Sequence, residues 1–165
     1  MLLWFAGASL VVAWVVFHDP ALDHRVLVAG ALLPDVLDAP LGGARIAHTV
    51  LFSATLLVAV MLATRGRRHT RRRWLVLPIG TFIHLLADGA WTRADTFWWP
   101  LLGGGLAGPL PSFDHGLAVL ILQEVAGAAA LVWFWRRFRL GDPAVRAAFV
   151  RTGRLPRDLP RDVAG

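Results

Sequence analysis

The stretch WLVLPIGTFIHLLADGAW, Trp74 to Trp91, is apolar enough to sit in lipid, yet it carries His84 and Asp88 near its end. The two lie four residues apart, so a helix brings both side chains to one face. A charge at the bilayer centre costs roughly 2.5 to 3.5 kcal/mol on insertion scales, and ionisable groups in such a setting mark functional sites. The stretch therefore predicts a helix that presents metal-type ligands from an apolar body. Leu33-Pro34-Asp35-Val36-Leu37-Asp38 repeats the arrangement, with Asp35 and Asp38 three residues apart at the end of another apolar segment.

The rest of the chain is written in the same style. Of 165 residues, 56% are hydrophobic, and there is no Cys, Lys or Tyr; the mean hydropathy is +0.57. That excess of apolar side chains predicts a membrane protein rather than a soluble one. Without cysteine there are no disulfides, thiolate zinc sites or cysteine nucleophiles, which leaves carboxylate and imidazole as the strong metal ligands. Five apolar segments can be marked: Leu2 to Phe17, Arg25 to Leu37, Ala44 to Thr64, Trp74 to Trp91 and His115 to Trp135. The third and fifth match the ~20 residues needed to cross a bilayer core, whereas the second is short and ends in Pro and two Asp. Leu2 to Phe17 has no positive charge ahead of it and reads as a retained span rather than a signal peptide. The expected fold is all-α: a polytopic integral membrane protein of about five transmembrane or partly spanning helices, with a short C-terminal surface helix.

All seventeen basic residues are Arg; six fall between Arg65 and Arg73 and eight between Arg136 and Arg161. These blocks flank apolar spans, so they read as cytoplasmic anchors on anionic headgroups rather than as a nucleic-acid surface. The N-terminus is then outside. Trp4, Trp14, Trp74, Trp91, Trp98, Trp99 and Trp135 fall near proposed span ends, as an aromatic belt would. Thr92 to Phe113 contains Trp98-Trp99-Pro100, Gly103-Gly104-Gly105 and Pro109-Leu110-Pro111, and reads as an outer loop or lid without regular helix. Asp142-Pro143, followed by Ala144 to Thr152 and Gly153, has the start and stop signals of a short helix. Arg154 to Gly165 reads as a mobile tail. The chain thus divides into a membrane-embedded part, 1–141, and a cytoplasmic part, 142–165.

Under this topology the chemistry collects at the outer boundary. Asp35 and Asp38 end the second span, His48 falls in the first turn of the third, and His84 and Asp88 occupy the last two turns of the fourth. Three carboxylates brought together would repel and take up protons, whereas a divalent ion lets them stay charged and keeps the imidazoles neutral as ligands. The set suits zinc, manganese or a two-metal centre. Each residue alone has a plainer reading, as an interhelical hydrogen-bond donor or a helix cap; the grouping favours a metal. Arg45 shares a face with His48 and offers a fork to phosphate or carboxylate, or anchors a headgroup. Glu124, near the middle of the fifth span, reads as a further ligand, a general base or a packing residue. His115 reads as interfacial, and His24 lies about 16 Å from Asp35 along a straight helix, too far to share its ion. His18, Asp19, Asp23 and His69 read as solvated.

Leu33 to Asp38, Arg45-Ile46-Ala47-His48-Thr49, and His84 to Asp88 followed by Phe97-Trp98-Trp99-Pro100-Leu101 resemble, in that order, three signatures of one family. These are the Leu-Pro-Asp, Thr-His-Ser and His-Leu-x-x-Asp motifs of the YdjM-like bacterial membrane-bound metal-dependent hydrolases. The resemblance covers about Leu22 to Leu102 and implies a multi-pass protein of the bacterial inner membrane, with a distant likeness to zinc phospholipase C. It implies that Asp35, Asp38, His48, His84 and Asp88 are metal ligands. Many relatives carry His-Arg where this chain has Ala44-Arg45, which leaves room for a reduced ligand set. The expectation that follows is a hydrolase whose metal lowers the pKa of water toward ~7 for attack on a phosphoester, with lipid phosphate as the substrate class. Arg45 would stabilise substrate charge and Glu124 relay a proton. The alternatives are a non-catalytic membrane protein that uses the cluster for a structural ion or an intramembrane partner, and a transporter. The transporter ranks last, since Ala54 to Ala63 and Trp74 to Gly80 offer only Thr55 as a polar step toward the cytoplasm.

Overall fold

Glycines let two pairs of helices touch backbone to backbone, and the arrangement of the molecule follows from those contacts. The computed structural model describes residues 1–38, 40, 43, 45–102, 106 and 116–156. The regular elements among them are helical: α1 Leu2–Phe17, α2 His24–Asp38, α3 Val50–Ala63, α4 Arg68–Trp74, α5 Val76–Ala87, α6 Ala94–Phe97, α7 Gly116–Arg137 and α8 Pro143–Thr152. Short 3-10 turns occupy Ile46–His48 and Ala90–Thr92. The protein is all-α as expected. Among the described residues one helix, α7, is long and apolar enough to cross a membrane; α1 and α3 are shorter apolar helices.

Local chemistry explains the ends. Thr49 caps α3 by accepting from the Phe52 amide at 3.1 Å. Asp142 caps α8 by accepting from the Ala144 amide at 2.8 Å, and Gly153, at φ 72, turns the chain out of it. α2 runs through Pro34 to Asp38 instead of stopping near Leu37.

The central pair is α2 against α5. A Cβ built on Gly30 would strike the backbone carbonyl of Leu77, and one built on Gly80 would strike that of Leu27. Small residues at such positions allow helix backbones to approach closely. Gly7 and Gly127 do the same for α1 against α7, whose backbones meet at Leu3 and Trp4. α3 lies against α5, and α1 also touches α2 and α5. The main apolar core, with Leu27, Val76, Phe134, Phe138 and Leu155, fills the end of the bundle near the α1–α2 connection.

Several expectations are revised. His48 lies in the 3-10 turn ahead of α3 rather than in its first turn. Ala94–Phe97 forms a helical turn inside the stretch read as irregular. Leu155 is buried, and its amide donates to the Pro20 carbonyl at 2.8 Å, so the chain after α8 begins docked rather than free. Ala44, Gly103 to Gly105, Pro109 to Pro111, His115 and the tail at 157–165 lie outside the described residues.

Asp23 is not solvated: it is 4% exposed. Its carboxylate accepts from Arg25 Nε at 3.1 Å and Nη2 at 3.0 Å, and from Arg73 Nε at 3.1 Å. Arg25 in turn donates to the Val150 carbonyl at 2.6 Å, which clips α2 to α4 and α8. Burial works against the Asp23 charge, but the Arg25 and Arg73 guanidiniums and the Val26 amide outweigh it and hold the carboxyl below its ordinary 3.8. A folded value below the unfolded one contributes stability above the ordinary carboxylate range, and that contribution is lost as pH falls through the range and below it. Asp23→Asn is therefore expected to lower Tm at neutral pH and to flatten its decline in acid. An acid limb as steep as that of the wild type would remove this role.

Candidate metal centre

α2 runs unbroken through Pro34, which has no amide hydrogen to give the Gly30 carbonyl. In the same helix the Ala31 carbonyl faces α5 and meets His84 Nδ1 at 2.7 Å. A carbonyl only accepts, so Nδ1 carries the proton and the neutral ring presents a bare lone pair at Nε2. The His48 ring is set in the same manner. Its Nδ1 lies 2.8 Å from Asp38 Oδ2 and donates to it, which turns Nε2 toward His84.

The two Nε2 atoms face each other at 3.4 Å. With an Nδ1 proton on each ring, the two Nε2 atoms can share one further proton or a cation, and a cation between them engages both. Asp35 Oδ1 completes a triangle, 3.5 Å from His48 Nε2 and 3.6 Å from His84 Nε2. Around an ion with N and O ligands at about 2.0–2.2 Å, a tetrahedral edge measures about 3.3–3.6 Å. The three observed edges match it. Asp35, His48 and His84 can hold a metal ion.

Of the five expected ligands, three form the group. Asp88 Oδ2 lies beside it, 4.0 Å from His48 Nε2. Asp38 stands one bond further out. Besides the His48 ring it accepts from the amides of Arg45 at 2.8 Å, His48 at 3.2 Å and Ala47 at 3.4 Å, and so it folds the 45–48 turn that carries His48. Arg45 is half-buried, with its amide on Asp38. Glu124 is occupied elsewhere. It accepts from the Leu3 amide at 3.3 Å and lies 3.9 Å from the Met1 amino group, where it complements the N-terminal end of α1.

His48 and His84 are fully buried, whereas the Asp35 side chain is 24% exposed and marks the way in. Phe5 of α1 backs the His84 ring, with centroids 3.9 Å apart. Trp4 Nε1 donates to the Ala87 carbonyl at 3.0 Å and pins the end of α5. One turn below His84, Thr81 Oγ1 donates to Ser53 Oγ at 3.0 Å and ties α3 to α5. The Ala31 carbonyl and Phe5 went unread in the sequence, because a backbone acceptor and a phenyl ring carry no ligand signal. No protein-family model matches the chain, and neither a curated protein nor a solved structure matches it.

Proposed function

We propose that this chain is a membrane-embedded, metal-dependent hydrolase of the YdjM-like kind, acting on a phosphoester of a lipid or amphiphile at the outer leaflet. The observation that carries the reading is the triangle of His48 Nε2, His84 Nε2 and Asp35 Oδ1, whose edges of 3.4, 3.5 and 3.6 Å fit one tetrahedral ion. Two imidazoles, one carboxylate and an open fourth position form the donor set of catalytic zinc, and manganese is the alternative.

The multi-pass reading is supported by an inverted distribution of polarity. α3 buries only Ser53 and exposes Leu57, Val58 and Leu62. α7 buries only Gly127 and Phe134. The polar side chains His24, His48, Thr81 and His84 are fully buried or nearly so. Apolar side chains turned outward over such an area suit lipid rather than water. The Arg blocks then place the 65–73 loop and the C-terminal region in the cytoplasm and the N-terminus outside.

A divalent ion held there would supply Lewis acidity toward water and ester oxygen. The chain's own residues supply the rest. Asp38 and the Ala31 carbonyl fix the two imidazole tautomers and ring planes. To Asp88, 4.0 Å from His48 Nε2, we assign the role of taking a proton from an incoming water. Arg45, just ahead of the turn that carries His48, is the residue to which we assign the phosphate. The exposed edge of Asp35 admits the substrate.

A structural ion is the second reading, favoured by Asp88 as a fourth ligand closing the sphere. The test is the full chain purified in detergent, its bound metal measured, and hydrolysis of generic phosphoesters and of phospholipid assayed for the wild type, His48→Ala and Asp88→Ala. Joint loss of metal and turnover in His48→Ala supports the hydrolase. Stoichiometric metal with no turnover across the panel selects the structural ion.

A further inference from the structure

Two cavities of about 460 and 530 Å³ share Phe17 and Ile79 as walls; the first reaches Val50 and Leu86, near the metal-bearing ends of α3 and α5, and the second opens at the opposite end of the bundle. They form one groove between α1, α3 and α5. Its upper part is apolar, lined by Val16, Leu57, Phe82 and Leu86 among others. Its lower part opens onto Arg68, Arg71, Arg72 and Asp19. From Leu75 to Leu86 the groove follows about 16 Å along α5, long enough to hold part of an acyl chain.

The mouth is charged in one sense. Three guanidiniums face one carboxylate, a net of +2 (3 − 1), and Asp19 is engaged by Arg72 at 2.5 Å. Arg71 Nε is buried without a hydrogen-bond partner among the described residues. A buried guanidinium nitrogen in that condition lacks the acceptor that its desolvation calls for. The occupant must bring an oxyanion to the mouth and a hydrocarbon chain to the groove.

We infer that this groove is a binding site for an anionic phospholipid of the cytoplasmic leaflet, with its phosphate on Arg68 and Arg71 and an acyl chain along Phe17, Ile79 and Phe82. A zwitterionic headgroup would set its cationic end against the same guanidiniums, so the site selects for net negative charge. The inference rests on the membrane reading above but not on hydrolysis, since none of the metal ligands lines the groove.

The test uses the full chain in detergent, titrated with phosphatidylglycerol or phosphatidylcholine of identical acyl chains, with bound lipid counted by native mass spectrometry. The wild type is expected to favour phosphatidylglycerol by about tenfold. The double variant Arg68→Gln, Arg71→Gln should lose that preference and keep its weak phosphatidylcholine binding. Ile79→Trp, which fills the groove and leaves the charges, should weaken both lipids. Metal content reports that each variant is folded. Equal binding of the two lipids by the wild type, or a preference that survives the double variant, overturns the site. If the chain stays in the membrane fraction and binds metal in that case, this inference fails alone. Recovery of the chain as a soluble species without detergent overturns the membrane reading together with it.

Discussion

His84→Ala is expected to empty the metal centre. The variant loses one of three convergent ligand atoms, and even removal of an outer-shell partner typically costs about 10–100-fold in metal affinity, so the loss here should exceed about 100-fold. Two further consequences follow from where His84 sits. The Ala31 carbonyl, which accepts from the ring at 2.7 Å, is left without that donor in the interior, at a cost of about 1–3 kcal/mol. Phe5 loses the ring against which it packs at 3.9 Å, so Tm should fall as well. Asp38→Asn separates the two effects: it keeps His48 in place as a ligand but removes the carboxylate that orients it, and should weaken the metal by only about 10–100-fold. Metal content after dialysis against a calibrated chelator reads both. Stoichiometric metal in purified His84→Ala would show that the triangle is not the binding site.

Gly80→Ala should have the largest effect on stability. The added methyl would meet the Leu27 carbonyl oxygen and the Ala31 amide nitrogen, both backbone atoms in the middle of α2 that cannot step aside. Overpacking of this kind costs typically 1–3 kcal/mol, and with rigid backbone on both sides we expect about 3 kcal/mol. The site should go with it, because α2 carries Asp35 and the Ala31 carbonyl while α5 carries His84. A displaced α2 opens the 3.6 Å edge between Asp35 and His84. Gly66→Ala is the comparison: nothing lies within 4 Å of its added methyl, and only its φ of 78 resists. That strain should cost about 1 kcal/mol and leave metal binding intact. If Gly80→Ala melts like Gly66→Ala and still binds metal, the backbone contact does not hold the site together.

The helices were largely legible because apolar runs, caps and breaks are local. Asp142-Pro143 and Gly153 bound α8 by the same chemistry that any isolated segment would use. The pairing of His84 with Asp88 was likewise legible in kind, since a spacing of four residues is one turn wherever the helix lies. The distinction between Asp35 and Asp38 was not. Both end α2 three residues apart, yet only Asp35 faces the two imidazoles, while Asp38 turns into the 45–48 chain and collects its amides. That difference depends on how the loop folds back. Asp23 was misread for a related reason: its partner Arg73 lies 50 residues away and meets it only when α4 packs beside the start of α2.

Periodicity, capping and composition by themselves determined that the chain is helical, roughly where its helices lie, and that acids and imidazoles cluster at the ends of three apolar segments. Only the tertiary structure decided which of those groups share a point in space and which orient the others. The physical reason is range. Helix formation is settled by residues within a turn or two of each other, whereas a tetrahedral edge of 3.4 Å between His48 and His84 is set by loop closure and by glycine contacts between separate helices.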